Sequence, residues 1–126
     1  MANEHARTPD RLRAAVEGYY DAMDRDDIDA VLAFFGGDVL YRRPGYERIA
    51  GMDALRQYYA SDRKLAAGRH VLTSIIVEGP RVAANGTFEG ELRDGGQTSV
   101  GFAAFFVFDA NGRAIEHTTY FFVPGV

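Results

Sequence analysis

EGYYDAMDRDDIDAVLAFFGGDVLYRRP, residues 17–44, says more about the architecture of this chain than any other segment. It predicts the end of an amphipathic helix, an acidic turn at residues 24–27, a short second helix and a strand over residues 38–43. The strand ends in Arg42 and Arg43, so it delivers positive charge toward whatever the sheet encloses. This order of elements predicts a domain that wraps a curved sheet around an apolar pocket.

The helix ends are marked by residues that satisfy or interrupt the backbone hydrogen bonds. Thr8-Pro9-Asp10 predicts the start of the first helix, because it combines a capping hydroxyl, an early proline and an acid at the positive end of the dipole. Asp27 can cap the second helix, and Gly36-Gly37 predicts its end. The apolar stripes of the three predicted helices are Leu12, Val16, Tyr19 and Met23; Ile28, Val31, Leu32 and Phe35; and Met52, Leu55, Tyr58 and Tyr59.

From Gly68 onward the apolar residues recur at every second position, which predicts strands. Short connections rich in Gly, Asp and Asn indicate an antiparallel meander. One strand, SVGFAAFFVF at residues 99–108, is nearly apolar, so both of its faces should be covered. One face would meet the helices, and the other would meet a closed pocket or the second subunit of a homodimer. The predicted strands cover about residues 70–78, 82–92, 98–108 and 113–123.

Length and composition predict a single domain over residues 1–126, of the α+β class because helices precede antiparallel strands. The net charge of −4 and the absence of a visible basic face argue against nucleic-acid binding. The sequence has no Cys, and its three His are not at metal-ligand spacing. Gly-rich phosphate loops are also absent. We therefore predict no metal and no cofactor.

The expected location is the cytoplasm. No apolar run approaches the ~20 residues that a membrane-spanning helix needs. The first ten residues, MANEHARTPD, are polar and lack the apolar core of a signal peptide. The sequence thus predicts no membrane association.

Four segments of the chain resemble the nuclear transport factor 2-like superfamily, which contains ketosteroid isomerases, SnoaL-type polyketide cyclases and limonene-type epoxide hydrolases. The resemblance implies three N-terminal helices packed on a strongly curved, mainly antiparallel sheet that encloses a cone-shaped pocket. It leaves the activity open, because this scaffold carries unrelated chemistries and many non-enzymes. The segments are GYYDAMDRDDIDAVLAFFGGDVLYRRPG, IAGMDALRQYY, TFEGEL and FFVFDANGRAIEHTTYFF.

The ketosteroid isomerases supply the first position-by-position test of this resemblance. Their oxyanion-donating tyrosine on the first helix matches Tyr19. Their catalytic Asp before the proline is replaced by Arg43, and their second acid by Ala104 or a neighbouring residue. Two of the three catalytic groups are missing, so the resemblance does not imply steroid isomerisation by that mechanism.

The other two families retain more of the polar pattern. Limonene-type epoxide hydrolases place an Asp on the last strand, where this chain has Thr119. Their Arg and second Asp lie about where Glu89 and Glu91 stand. SnoaL-type cyclases use a His and an Asp in the pocket, and here a His with a Glu is available for those roles.

Strand alternation brings the candidate catalytic residues to one face. If Thr119 faces inward as the resemblance implies, then His117 does too, and imidazole is well suited to proton transfer near neutral pH. Glu89 and Glu91 share a face of their strand, so one of them could orient His117 or act as an acid. The alternatives are a histidine bonded to a backbone carbonyl and two glutamates that face solvent.

The candidate ligand-binding residues lie beside this pair. Arg43 would anchor a carbonyl or anionic group, unless it forms an internal salt bridge to a glutamate or Arg42 points inward in its place. Tyr19 and Tyr41 could donate hydrogen bonds to an oxyanion, or be ordinary core residues. His70 could gate the mouth of the pocket, but it is interpreted as a solvated loop residue. The predicted substrate-binding residues are Arg43, Tyr41, Phe102 and Thr119, and the predicted catalytic residues are His117, Glu91, Glu89 and Tyr19.

The sequence thus predicts a cofactor-independent enzyme that uses general acid–base catalysis on a small, largely apolar organic molecule. Cyclisation, isomerisation and epoxide opening all remain open. The alternative is a non-catalytic ligand-binding or dimerisation module of the same fold. An open pocket in which the polar groups converge would favour the enzyme.

Overall fold

Three helical segments pack against one six-stranded sheet in a computed structural model that describes residues 3–62 and 65–122 of the chain. The helices come first, as predicted, and the antiparallel strands follow. The helices are α1 (Asn3–Asp24), α2 (Ile28–Ala33) and α3 (Met52–Gln57), the last continued by a π-helical turn (Tyr58–Asp62). The strands are β1 (Phe35–Arg42), β2 (Ile49–Ala50), β3 (Leu65–Glu78), β4 (Arg81–Leu92), β5 (Gln97–Phe108) and β6 (Ala114–Phe121).

The strand order is β2-β1-β6-β5-β4-β3, with β1 and β6 parallel and every other neighbouring pair antiparallel. The predicted meander of four long strands is therefore confirmed, and the curved α+β architecture with it. The parallel pairing matters for function because it sets Tyr41 of β1 directly beside His117 of β6. None of the helices in the described part of the chain has the length and hydropathy of a bilayer-spanning segment.

Two predicted helix ends are wrong. Helix α1 begins at Asn3 and contains Pro9, so Thr8-Pro9-Asp10 lies inside the helix instead of starting it. Helix α2 ends at Ala33, and Gly36-Gly37 belongs to β1. Neither glycine is among the residues with positive φ, so they do not form a left-handed helix stop. Gly36 serves close packing instead, because a Cβ there would lie 3.1 Å from the Ile115 side chain.

The core lies between the helices and the concave face of the sheet. Asp27 caps α2 as predicted, because its side chain accepts a hydrogen bond from the Ala30 N–H. The predicted stripes bury Val16 of α1, Val31 of α2 and Leu55 of α3 in one core cluster that also contains inward side chains of β5. Those inward residues alternate strictly along β5: Val100, Phe102, Ala104, Phe106 and Phe108.

Candidate active site

A narrow pocket opens between α1 and the concave face of the sheet. Its walls are mostly aromatic, and its cavity of about 20 Å³ has room for roughly one water molecule. Six of the eight residues predicted from the sequence to form a site lie here together, and their roles stay a prediction. The lining residues are Tyr19, Tyr20, Met23, Tyr41, Arg43, His70, Phe88, Val100, Phe102, His117, Thr119 and Phe121.

His117 lies at the floor of the pocket and is only 1% exposed. Its ring is sandwiched between Phe106, with 4.2 Å between ring centroids, and Tyr41, with 4.6 Å. Both neighbours are nearly parallel to the imidazole. The sandwich follows from strand register, since Phe106 pairs with His117 across β5–β6 and Tyr41 pairs with it across β1–β6.

The hydrogen bonds of His117 define its tautomer. Nδ1 lies 3.3 Å from the backbone oxygen of Phe105. Because a carbonyl oxygen can only accept, Nδ1 carries the proton and Nε2 accepts. The hydroxyls of Tyr19 and Thr119 each lie 3.3 Å from Nε2, so two donors compete for one lone pair.

The charge state of this imidazole follows from its surroundings. The pKa of His117 is lowered to about 3, mainly by burial and in smaller part by the Arg43 cation, while the hydrogen bond to Phe105 acts to raise it. At neutral pH the ring is therefore neutral. It is well placed to hold a hydroxyl in position, but it is a weak base, contrary to the role that the sequence suggested.

Tyr19 links this floor to the helical layer. Its hydroxyl lies 2.5 Å from the hydroxyl of Tyr59, which belongs to the π-helical turn after α3. Together with the contact to His117, this gives a continuous chain Tyr59–Tyr19–His117. Next to it, burial raises the pKa of Tyr20 well above its usual range, and the charges of ionised Tyr41 and Tyr59 would raise it further. Tyr20 thus stays protonated.

Arg43, and not its neighbour Arg42, faces the pocket. Arg43 is buried whereas Arg42, the preceding residue, is exposed. The guanidinium donates a hydrogen bond to the Tyr58 hydroxyl. Its central carbon lies 5.3 Å from the ring centroid of Tyr46, 5.5 Å from that of Tyr58 and 4.9 Å from that of Phe121.

Arg43 keeps its positive charge among these aromatic side chains. Burial acts to lower the pKa of Arg43, but Tyr41 and Tyr58 outweigh it and raise the pKa above its usual value. An arginine is in any case charged at every ordinary pH. The pocket therefore contains a fixed positive charge close to a set of tyrosine hydroxyls.

Glu89 and Glu91 are not pocket residues, so this part of the sequence prediction is wrong. Both are exposed on the outer face of β4. Phe88 takes the inward position, where it is buried and lines the pocket, and strand alternation then turns its neighbour Glu89 outward. The predicted pairing of a glutamate with His117 or Arg43 is consequently ruled out by position.

His70 and Asp24 form an acid–imidazole pair that the sequence interpretation missed. Nδ1 of His70 lies 2.6 Å from Oδ1 of Asp24, and the His70 backbone N–H donates to Oδ2 at 2.9 Å. The imidazole packs against Tyr20 and Phe88, with ring centroids 4.9 and 4.6 Å apart. The available signal was β3 alternation, which puts His70 on the same face as Leu72.

The fold and the pocket together define the class: a curved sheet and three helices that enclose a small polar-bottomed cavity, as in nuclear transport factor 2-like proteins. Residues 16–117 match the model of the SnoaL-like domain family, and the chain belongs to that family.

Solved structures show the same architecture at low sequence identity. An NTF2-like protein of unknown function from Burkholderia pseudomallei is 24% identical, with a TM-score of 0.79, 88% of this chain and 90% of that chain covered. An LEH-like epoxide hydrolase from M. tuberculosis is 22% identical, with a TM-score of 0.77 and coverage of 90% and 84%. A putative polyketide cyclase from Xanthomonas campestris is 26% identical, with a TM-score of 0.72 and coverage of 89% and 90%.

Proposed function

We propose that this protein is a cofactor-independent enzyme that acts by acid–base catalysis on a small, largely apolar organic molecule bearing a carbonyl or anionic oxygen. The observation that carries the proposal is the meeting of one buried cation, Arg43, with two imidazoles in a single aromatic pocket. Such convergence of a few polar groups in an apolar cavity is typical of small-molecule sites.

The arrangement suits chemistry in which negative charge develops on oxygen. Arg43 offers N–H donors and a full positive charge, and Tyr19 and Tyr41 add hydroxyl groups to the lining of the same pocket. Charge–charge attraction is strong inside aromatic walls because little water screens it. An enolate, phenolate or alkoxide that forms here would be stabilised relative to water.

Cyclisation, isomerisation and epoxide opening all pass through such an oxygen-centred charge. Proteins of similar fold include an LEH-like epoxide hydrolase and a putative polyketide cyclase. The replacement of a catalytic Asp by Arg43 and of a second acid by Ala104 argues against a ketosteroid isomerase mechanism. The reaction therefore depends on groups other than the acids of that family.

The pocket must widen before it can hold a substrate. A cavity of about 20 Å³ is far below the several hundred Å³ of a typical substrate site. Met23 lines the pocket, is only partly buried and has three rotatable side-chain bonds, so its movement would widen the pocket. The narrow cavity is also the observation that favours the rival function, a non-catalytic ligand-binding or dimerisation module.

The anion-binding part of the proposal is tested with 4-nitrophenol, whose phenolate is yellow. We expect binding as the phenolate, seen as a gain in phenolate absorbance near neutral pH. Arg43→Met should weaken binding about 10- to 100-fold, the equivalent of losing charge-assisted hydrogen bonds. Arg42→Met, which removes an exposed cation from the adjacent position, is the matched control and should bind normally.

Two outcomes would count against the proposal. If 4-nitrophenol does not bind, or if Arg42→Met and Arg43→Met weaken it equally, the pocket is not an anion site. Binding without any turnover of a carbon acid would favour the non-catalytic module. A proton-abstraction assay, described below, separates the enzyme from that module.

We also propose that the protein is a homodimer that associates through the outer face of the sheet. That face carries large apolar side chains exposed to solvent, among them Ile76, Phe105 and Tyr120, with Phe122 just after β6. Phe105 and Tyr120 already contact each other edge to face across the β5–β6 pair. Exposed apolar patches on small proteins usually mark an interaction surface, and a second copy offers an identical apolar face.

A further inference from the structure

We infer that His70 is the residue that exchanges a proton with the bound molecule, and that Asp24 is its positioning residue. This inference rests on the proposed function and names the machinery of that same pocket. It reverses the expectation drawn from the sequence, which placed His117 in this role and His70 in a solvated loop.

Asp24 fixes His70 at two points. One carboxylate oxygen contacts the ring nitrogen Nδ1 at 2.6 Å, and the other accepts the backbone N–H of the same residue at 2.9 Å. Asp24 is the last residue of α1, and His70 lies on β3, so the pair ties the main helix to the sheet at the pocket wall. A carboxylate that holds both the main chain and the ring of a histidine leaves it little freedom to rotate.

This contact directs proton transfer to the other ring nitrogen. When Nδ1–H donates to Asp24, Nε2 carries the lone pair of the neutral ring. A carboxylate in this position also stabilises the imidazolium that forms when Nε2 takes a proton. The His70 side chain is 7% exposed and lines the pocket, so a molecule in the cavity can reach it.

His117 also lines the pocket and carries its lone pair on Nε2, but its partners differ. Its Nδ1 bonds to a neutral carbonyl instead of a carboxylate, and its Nε2 faces the hydroxyls of Tyr19 and Thr119. A proton taken up by this fully buried ring would place a second positive charge near Arg43. His117 therefore acts through Tyr19, as a neutral positioning residue for that hydroxyl.

These roles of His70 and Arg43 predict a specific elementary step. Nε2 of His70 removes a proton from a carbon of the substrate, and the electron pair of that C–H bond moves toward an oxygen. The oxygen gains the negative charge, which Arg43 and the tyrosine hydroxyls stabilise. The proton on His70 then returns to substrate or leaves to water, which restores the neutral ring.

The test uses 5-nitrobenzisoxazole, a small planar carbon acid. When a base takes its ring C–H proton, the electron pair forms the nitrile and the N–O bond breaks, which leaves a coloured nitrophenolate. We expect the wild type to accelerate this reaction, His70→Gln to lose about 100-fold or more, and Asp24→Asn to lose on the order of 10-fold in kcat with less change in KM. Asp21→Asn, an exposed carboxylate one turn earlier on α1, is the matched control and should keep the wild-type rate.

A second measurement does not depend on turnover. Correlation spectra of the ¹⁵N-labelled histidine rings at pH 8 should show His70 protonated at Nδ1 and bare at Nε2, and Asp24→Asn should alter these signals while Asp21→Asn leaves them unchanged. His70→Gln assigns the signals, and thermal unfolding checks that each variant is folded.

The outcomes distinguish a failure of the His70 assignment from a failure of the proposed function. A proton on Nε2 in the wild type, or a rate that is undiminished in His70→Gln, would overturn the role of His70 and leave the proposed function standing. A wild type that binds 4-nitrophenol but does not accelerate the reaction would contradict both the role of His70 and the proposed enzyme. Failure of 4-nitrophenol to bind would instead contradict the proposed function, whatever the ring spectra show.

Discussion

His117 illustrates how burial decides what a residue can do. The same imidazole that titrates near neutral pH in water is held neutral here, because its ring lies between two aromatic side chains and its pKa is lowered to about 3. A neutral ring with Nδ1–H directed at a carbonyl presents a fixed acceptor to the Tyr19 hydroxyl. The residue is thereby suited to orient a donor.

This neutrality has a consequence for stability. In the unfolded chain the pKa of His117 returns to about 6.5, so between that pH and about 3 the unfolded state binds a proton that the native state does not. Stability is therefore fully present above pH 6.5 and falls as the pH is lowered. The slope contributed by this residue should reach about 1.4 kcal/mol per pH unit.

Urea unfolding between pH 4 and 7 measures that slope. His117→Phe keeps a ring between Tyr41 and Phe106 but removes the titration, so its stability should depend less on pH than that of the wild type. The carboxylates contribute equally to the pH dependence of both proteins, so their contribution cancels when the two free energies of unfolding are subtracted. Identical pH dependence in the two proteins would show that His117 is not held neutral in the native state.

At this scale the sequence predicted positions better than roles. Strand alternation, with the inward face of Thr119 taken from the resemblance, predicted Tyr41 and His117 on one face, and it left open whether Arg43 or Arg42 points inward. Alternation alone does not tell which face of β4 meets the core. It therefore could not decide whether Phe88 or the pair Glu89 and Glu91 points inward. It could not pair His70 with Asp24 either, since 46 positions separate them and only the docking of α1 on β3 brings them together.

The β5–β6 hairpin is the element that sets the register of the site. Its turn aligns Phe106 with His117, and Asp109 holds that turn through one carboxylate oxygen that accepts the backbone N–H groups of Asn111 and Arg113. Gly112 completes the turn in the left-handed region, at φ +79°. The stacking of His117 on Phe106 thus depends on a turn that lies only three residue pairs away in the hairpin.

Asp109→Ala should lower the free energy of unfolding by about 1–2 kcal/mol, because two backbone donors lose their acceptor. Asp94→Ala in the β4–β5 turn is the comparison, since Asp94 accepts the Gly96 N–H alone among its described contacts and should matter less. Urea titration measures both. Equal effects, or none, would contradict the assignment of the β5–β6 turn to this carboxylate.

Element boundaries were harder to predict than element types. The switch from helical to alternating periodicity placed all four long strands. The glycine pair at residues 36–37 led to a wrong prediction of the end of α2. Glycine occurs both where a helix stops in a left-handed conformation and where two chain segments pack closely. Here the second applies, since Gly36 lies against Ile115 as β1 passes β6. The two-residue strand β2 had no signal of its own, because its pairing to β1 arises only after the chain folds back.

The whole molecule has two apolar faces on one sheet. The concave face is covered by the helices, while the outer face exposes Ile76 and Phe105 to 65% and 50% of their full area. Near-continuous apolar sequence along β5 predicted covering on both sides, and in the single chain only one side is covered. A second copy of the chain would complete the pattern.

Phe105→Glu should therefore convert a dimer into a monomer, because a carboxylate in the centre of an apolar interface loses its hydration. Sedimentation equilibrium measures the change in mass. Ala14→Glu, at an exposed position of α1 away from this face, is the control and should leave the mass unchanged. A wild type that is monomeric at high concentration would refute the dimer.

We propose that the pocket between α1 and the sheet binds a small organic anion with its oxygen at Arg43 and its ring beside His70. The most direct test is a crystal structure of the protein with 4-nitrophenol. We predict the phenolate oxygen within hydrogen-bonding distance of the Arg43 guanidinium, Met23 displaced to widen the cavity, and the ring in contact with His70. A closed pocket with the compound bound elsewhere, or a phenolate remote from Arg43, would contradict the account.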